Sequence, residues 1–510
     1  MLKLRRPLVA ATLAALPLGF VVPYADAVDE VDTARLREHV TVGDVFDHLR
    51  VFQRIANQND GMRASGTRGF NRSARYIARR LEEAGLRVTT QEFTFPFYRE
   101  LSPAVLQQVS PGPTDYQTLT YQFSGTGDVT GQVVPINPTI PPPAEPGTAL
   151  SGCNGTPFPA APAATAVALI QRGTCTFEEK AANAEARGYE AAIIYNEGQE
   201  GRTEPFQGTL NRPFDIPVVG MSFADAAAVV DQVESGDDVV VHVAATTEFK
   251  PRARTSNVIG TLPGGDREHT IVAGAHLDSV PAGPGINDNG TGSAVILEIA
   301  EQMAELGVTT RQRVRFAFWG AEEPGLLGSQ HYVDTLTDRQ LGRISANLNF
   351  DMLGSPNYAR FVYDGDGSAT EPAGPTGSGA IEDVFTDYFD RQGLRSAPTQ
   401  FSGRSDYGPF IAVGIPAGGL FSGAEGVKTE EQADLFGGTA GVAYDECYHQ
   451  ACDDIDNVNT DAVNELGDAA AHAVATLAKT RSGWFPDGSL RVHHRATAEV
   501  RQARSIHPRR

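Results

Sequence analysis

The chain has 510 residues, 63 of them acidic and 42 basic, for a formal net charge of −21 at pH 7. This charge argues against nucleic acid as a partner, because its phosphates would be repelled, and the same charge favours solubility. With 41% hydrophobic residues over this length, more than one core is expected.

Residues 1–27 read as a secretory signal. Lys3, Arg5 and Arg6 form the charged start, Leu8 to Val22 is the apolar part, and Ala25-Asp26-Ala27 is an A-x-A cleavage site. The apolar run is short and broken by Pro17, which argues against an anchor. No other stretch is apolar enough over sufficient length to span a bilayer. The mature protein is expected to be extracellular, monomeric and free of membrane contact.

Residues 33–100 read as helix, helix, strand. Val45 to Ala56 is amphipathic, Asn59 to Gly69 is a turn-rich break, and Phe70 to Ala84 is a second helix closed by Gly85 at C′. Leu86 to Phe95 then alternates as a strand. His48, in the first helix, reads as an ordinary surface or core histidine, since no acidic cluster of ligand type accompanies it.

Near Ser102 the composition turns to Pro, Gly and Thr, through Pro141–Pro143. From Thr165, TAVALIQRGTCTFEEKAANAEARGYEAAIIYNEG reads as strand, turn, helix, strand. Over Ile170 to Cys175, Phe177, Lys180, Ala181, Ala184 and Gly188 it resembles the protease-associated (PA) domain, a module inserted into several secreted and vacuolar proteases and sorting receptors. Residues 101–254 are therefore expected to be an inserted PA domain. It holds no cluster of catalytic residue types and is assigned no chemistry.

The chain has four cysteines. In an oxidising space two disulfides are plausible: Cys447 with Cys452, close neighbours, and then Cys153 with Cys175. A single zinc held by all four is the alternative, though no C-x-x-C spacing is present.

From Thr255 to Lys479 strands and helices alternate, which predicts an α/β fold: a mostly parallel sheet covered on both faces. Ile271 to Ala275 is an apolar strand that delivers His276 and Asp278. A Gly/Pro-rich loop then delivers Asp288, and a helix follows with Val295, Ile296, Ile299, Met303 and Leu306 on one face. Strand Val314 to Trp319 leads to Glu322 and Glu323, strand Asn347 to Phe350 leads to Asp351, and a late loop carries Cys447, Tyr448, His449 and Cys452. Most of these polar residues follow strands, where ligands gather in such sheets. Imidazole with carboxylate suits zinc, and a shared carboxylate suits a two-metal site. From residue 481 on, Arg491, Arg495, Arg501, Arg504, Arg509 and Arg510 face only Asp487 and Glu499. That tail, 481–510, is expected to be disordered or removed.

GAHLDSV, GINDNGTGSA, FAFWGAEEPGLLGS, LNFDMLGSPN, GRSDYGPF, GGLFSGA and CYHQACD together resemble the M28 family of zinc peptidases, most closely its small secreted bacterial aminopeptidases. The likeness covers Val42–Glu100 and Thr255–Lys479. It implies two Zn²⁺ per chain: His276 and Asp351 on one, Glu323 and His449 on the other, with Asp288 bridging. Glu322 would be the general base, Asp278 would steady His276, and Tyr448 would donate to the oxyanion. Backbone near Arg404 and an apolar wall at Phe421 would receive the substrate, a peptide or protein N-terminus with a large apolar first residue such as Leu. Singly, Asp288 could be a helix cap, Glu322-Glu323 an acidic helix start and His449 a loop histidine; seven ordered motifs outweigh those readings.

Asp453, Asp454 and Asp456 have some look of a calcium loop, and some secreted relatives of this kind carry structural Ca²⁺. Asp468 matches a carboxylate position used there, while Asn464 stands where a second is expected. Sequons occur at Asn71, Asn154 and Asn289, the last beside Asp288. Two other functions compete: a zinc carboxypeptidase of the same fold, with Arg404 as its carboxylate clamp, and a receptor-like PA protein with a decayed site. The second requires missing ligands, and none is missing. A single-zinc glutaminyl cyclase of related fold fits less well, since all five ligands for two ions are present.

Overall fold

A computed structural model describes residues 28–163, 165–481, 483, 485 and 489. The expected leader over 1–27 and most of the basic tail lie outside the described residues. The strands are β1 (Arg87–Ser110), β2 (Thr114–Asp115), β3 (Gly127–Ile136), β4 (Ala166–Gln171), β5 (Ala191–Tyr195), β6 (Val218–Met221), β7 (Val240–Thr261), β8 (Asp266–His276), β9 (Gln312–Trp319), β10 (Ile344–Phe350), β11 (Phe361–Tyr363), β12 (Ala397–Thr399) and β13 (Ala417–Phe421). They form one 13-stranded sheet in the order β12-β11-β13-β10-β8-β9-β7-β3-β4-β5-β6, with β1 against β7 and β2 against β1.

The sheet contains two parallel blocks. In the larger, β13, β10, β8 and β9 run parallel. Their residues are buried almost throughout, which is why they read as continuous apolar runs rather than alternating ones. Helices Val42–Asn57, Arg68–Glu83, Gly292–Glu305, Ser378–Arg391 and Thr460–Lys479 flank them. One core joins Leu49, Phe52 and Ile77 of the early helices to Ile271, Phe316 and Leu348 of these strands. The early segment therefore packs as part of the later one. In the smaller block, β3 to β6 run parallel. Separate apolar clusters cover its two faces, one with Leu169, Ile193 and Val230, the other with Ile170, Ala181 and Ile194.

The join between blocks differs from expectation. The predicted strand Leu86–Phe95 is the first part of β1, which continues to Ser110, and β7 begins at Val240 rather than Thr255. Around Val258–Thr261, β7 lies between β1 and β9; around Val240–Ala245 it lies between β1 and β3. The expected boundary at 100/101 thus falls inside a strand, and residues 101–254 are attached by two long hydrogen-bonded strands. Pro96 and Pro103 interrupt β1, and register shifts at Phe95/Phe97, Glu100/Ser102 and Ser102/Val105 break its alternation, so the pattern reads as a loop.

Both disulfides, Cys153–Cys175 and Cys447–Cys452, are formed, which removes the four-cysteine zinc alternative.

Strands β8, β9 and β10 end side by side at His276, Trp319 and Phe350, so their following loops share one edge of the sheet. Gly292, the first residue of its helix, lets that helix approach the end of β10: a Cβ there would lie 2.3 Å from the Phe350 carbonyl oxygen. Backbone cannot yield cheaply, so Gly292→Ala should cost about 1–3 kcal/mol of stability. Equilibrium denaturation checks this; an unchanged midpoint would contradict the close packing.

Candidate functional site

Four loops and the disulfide-closed turn meet beyond that sheet edge. The Asp288 loop is held from both ends. Asp453 accepts the main-chain N–H of Asn287 at 2.8 Å and of Asp288 at 3.0 Å. Gly283 packs so closely on the disulfide turn that a Cβ would sit 2.1 Å from the Gln450 carbonyl oxygen. After β9, three successive N–H groups are claimed by three different elements. Gly320 donates to Asn257 Oδ1 at 3.1 Å, Ala321 to Ser65 Oγ at 2.7 Å, and Glu322 to Asp278 Oδ1 at 3.2 Å. This fixes the backbone from which Glu322 and Glu323 project. After β10, Asp351 accepts from the Ser405 hydroxyl at 2.5 Å, and Ser405 in turn accepts from Asn349 at 2.8 Å.

The side chains converge in two overlapping sets. His276 Nε2 lies 3.2 Å from one oxygen of Asp288 and 3.2 Å from Asp351. His449 Nε2 lies 3.2 Å from the other oxygen of Asp288 and 3.1 Å from Glu323. Glu322 is 3.9 Å from His276. Asp278 touches His276 through its backbone. Its main-chain carbonyl meets His276 Nδ1 at 3.1 Å, while its carboxylate stands 3.8 Å away and receives the Glu322 N–H.

Asp278, Asp288, Glu322, Glu323, Asp351 and Asp406 thus crowd around two imidazoles. Burial drives the Glu322 carboxyl well above the usual range, and Glu323, Asp406 and Asp351 add to this against the pull of His276. Burial likewise raises Asp278 and Asp406 to about 7 each. Burial opposes charge on Asp288, but hydrogen bonds from His276 and His449 outweigh it and hold this carboxyl below its ordinary value. His449 is pushed to about 10, because Glu323 and Asp288 overcome its burial. Negative charge this dense calls for cations.

Zinc fits the donor set. A tetrahedron with zinc–ligand bonds of ~2.0–2.1 Å has edges of about 3.3 Å, close to the 3.1–3.2 Å separations around each imidazole nitrogen. Glu323 Oε1 is buried without a hydrogen-bond partner, as a carboxylate oxygen reserved for a metal would be.

A cavity of about 250 Å³ opens beside these groups, lined by Met352, Tyr363, Tyr407 and Phe421 as well as Glu322 and Asp351. Phe421 stacks on Phe361, with ring centroids 6.1 Å apart. Tyr448 stacks on His449 at 3.9 Å, and burial followed by Asp288 and Glu323 pushes its hydroxyl pKa upward. Arg404 is largely exposed, paired with Glu425 at 2.7 Å and 3.3 Å from the Tyr448 hydroxyl.

Arg63 went unnoticed in the sequence. Fully buried, its side chain donates to the carbonyls of Leu277, Pro284 (2.8 Å) and Gly285, all in the loop between His276 and Asp288. Burial lowers its pKa to about 10, against the pull of Asp453, Asp278 and Asp288. An arginine in a turn-rich break carries no local signal; only its carbonyl partners, more than 200 positions away, reveal it. Ser405, Tyr363 and Asp453 were missed as site-builders for the same reason.

Other expectations need correction. His48 does have acidic company: its ring lies 3.1 Å from Glu298 and 2.7 Å from Tyr76, and Arg80 binds Glu301 alongside. The helix Gly292–Glu305 supplies those acids, so the cluster is invisible locally, yet its charges are paired within the core. The calcium residues do not converge among the described residues. Asp453 serves the Asp288 loop, Asp454 accepts the Asp456 N–H, and Asp468 lies 3.8 Å from Arg37. Asn289 is buried, donating to the Phe350 carbonyl and accepting from Gly292 and Met352, so no glycan fits there.

Residues 257–474 match peptidase family M28, and residues 129–229 match the PA domain. An aminopeptidase of Pseudomonas aeruginosa is 43% identical over 440 residues, covering 85% of this chain and 80% of its own. Leucine aminopeptidase 2 of Arthroderma otae is 47% identical over 335 residues, 66% of each chain. Among solved structures, an aminopeptidase from Aneurinibacillus sp. strain AM-1 superimposes with a TM-score of 0.65 at 25% identity, over 88% of this chain and 97% of that one. A zinc aminopeptidase from Bacillus subtilis does so with a TM-score of 0.62 at 26% identity, over 86% and 96%. The chain belongs to peptidase family M28, carries a PA domain, and is a hydrolase of the metallo-aminopeptidase type.

Proposed function

We propose that this is a secreted two-zinc aminopeptidase that removes single large apolar residues, such as Leu, from free peptide N-termini. The observation that carries this reading is the division of Asp288 between two imidazole nitrogens, each with a further carboxylate at hand. His276 and Asp351 would hold one ion, Glu323 and His449 the other, and Asp288 both. When bound, the pair would supply an acidified attacking water and a polarised scissile carbonyl.

The chain's own groups do the rest. Glu322, buried and with its carboxyl pKa raised, is suited to accept a proton from water and return it to the leaving amine. Tyr448 keeps its proton and can donate it to the developing oxyanion. Glu322 and Asp351, which line the aromatic cavity, offer carboxyl oxygens to a substrate ammonium. Met352, Tyr363 and Phe421 favour an apolar first side chain and disfavour a charged one, which would be desolvated without a partner. Arg404 is already engaged by Glu425, which weakens the carboxypeptidase reading, since that needs a free cationic clamp. The charged start, apolar stretch and A-x-A site over 1–27, with two disulfides, support secretion.

Glu322→Gln should retain its zinc while kcat falls by about 10²–10⁴-fold. Full turnover in that variant, measured alongside metal content, would sink the general-base role. Leucine p-nitroanilide should be cut and its N-acetylated form left intact. Equal rates on the two would rule out an aminopeptidase.

A further inference from the structure

A second cavity, of about 800 Å³, shares Glu323 and His449 with the aromatic pocket and no other lining residue. It lies between the metal loops and the PA domain. Ser279, Val280 and Pro281 form one side, and Leu101, Leu119 and Thr209 the other. Its size falls within the range of about 300–1,000 Å³ typical of pockets that enclose a ligand.

The chemistry of the PA-side wall is specific. Its charged residues are already satisfied: Arg99 donates to Glu248 at 2.8 Å, and Glu100 accepts from the Thr120 hydroxyl at 2.6 Å. Leu101 and Leu119 are 51% and 45% exposed and face the cavity uncovered. Lone surface leucines are ordinary; two on one concave wall that runs into the candidate active site mark a binding surface.

The first pocket has a volume of about 250 Å³, and it meets the second cavity at Glu323 and His449. We infer that the cleft beside the PA domain holds the part of the peptide that follows the cleaved bond, and that Leu101 and Leu119 select apolar side chains there. This rests on the aminopeptidase reading above. The PA domain then sets which peptides are processed quickly and leaves the chemistry to the metal loops. The two long strands β1 and β7 are what hold it at that place.

The test compares release of Leu from Leu-Gly-Leu-Leu-amide and Leu-Gly-Ser-Ser-amide, with leucine p-nitroanilide, which carries nothing beyond the first position after the cleaved bond, as reference. The full-length enzyme should favour the apolar tail by about 10-fold in kcat/KM, mainly through KM. In Leu101→Ser/Leu119→Ser that preference should fall to within about 2-fold, with p-nitroanilide turnover unchanged. Leu119→Lys should improve Leu-Gly-Asp-Asp-amide by about 3-fold at low salt. A preference that survives the double substitution, or a double variant equally impaired on p-nitroanilide, would overturn the proposal. Wild-type enzyme that leaves leucine p-nitroanilide uncut would instead overturn the aminopeptidase reading, and this inference with it.

Discussion

Asp288 stands between two imidazole nitrogens, each 3.2 Å from one of its oxygens, and the surrounding structure is arranged to keep it there. Carboxylates gathered in a buried place repel one another and resist losing their water. Such a cluster persists only if the backbone beneath it is immobile. Asp453 supplies part of that rigidity by taking two consecutive N–H groups at Asp288. Arg63 supplies more, binding three carbonyls of the loop that separates His276 from Asp288.

Both anchors depend on distant parts of the chain. Arg63 and Ser65 lie in the early segment, before the PA domain, yet they hold the His276–Asp288 loop and the turn ahead of Glu322. The early helices and the later sheet share one apolar core. The interruption by some 150 residues is tolerated because β1 leaves that core and β7 returns to it as hydrogen-bonded neighbours. The inserted domain is thereby held against the site instead of swinging on a linker.

What could be read from the sequence follows from how local each signal is. Strand, loop and helix around His276 and Asp288 announce themselves because β8 is apolar throughout and the helix after it has a clear face. Glu322, Glu323, Asp351 and His449 each sit in a contiguous motif, and the structure brings all of them together. Arg63 acts through partners far along the chain and left no trace, and Ser405, though inside GRSDYGPF, showed nothing of its bond to Asp351. The length of β1 was concealed by Pro96, Pro103 and three register shifts. Asp453 and Asp454, adjacent in sequence, are turned to different backbone partners in space, a separation their spacing does not reveal.

The central claim is that Asp288 unites two zinc sites. Zinc titration of metal-free protein, with bound metal quantified by elemental analysis, tests it most directly. The account predicts two tightly bound equivalents in the natural chain, and weakened binding of both when Asp288 is replaced by alanine. One equivalent at saturation, or an alanine variant that keeps two with unchanged affinity, would contradict it.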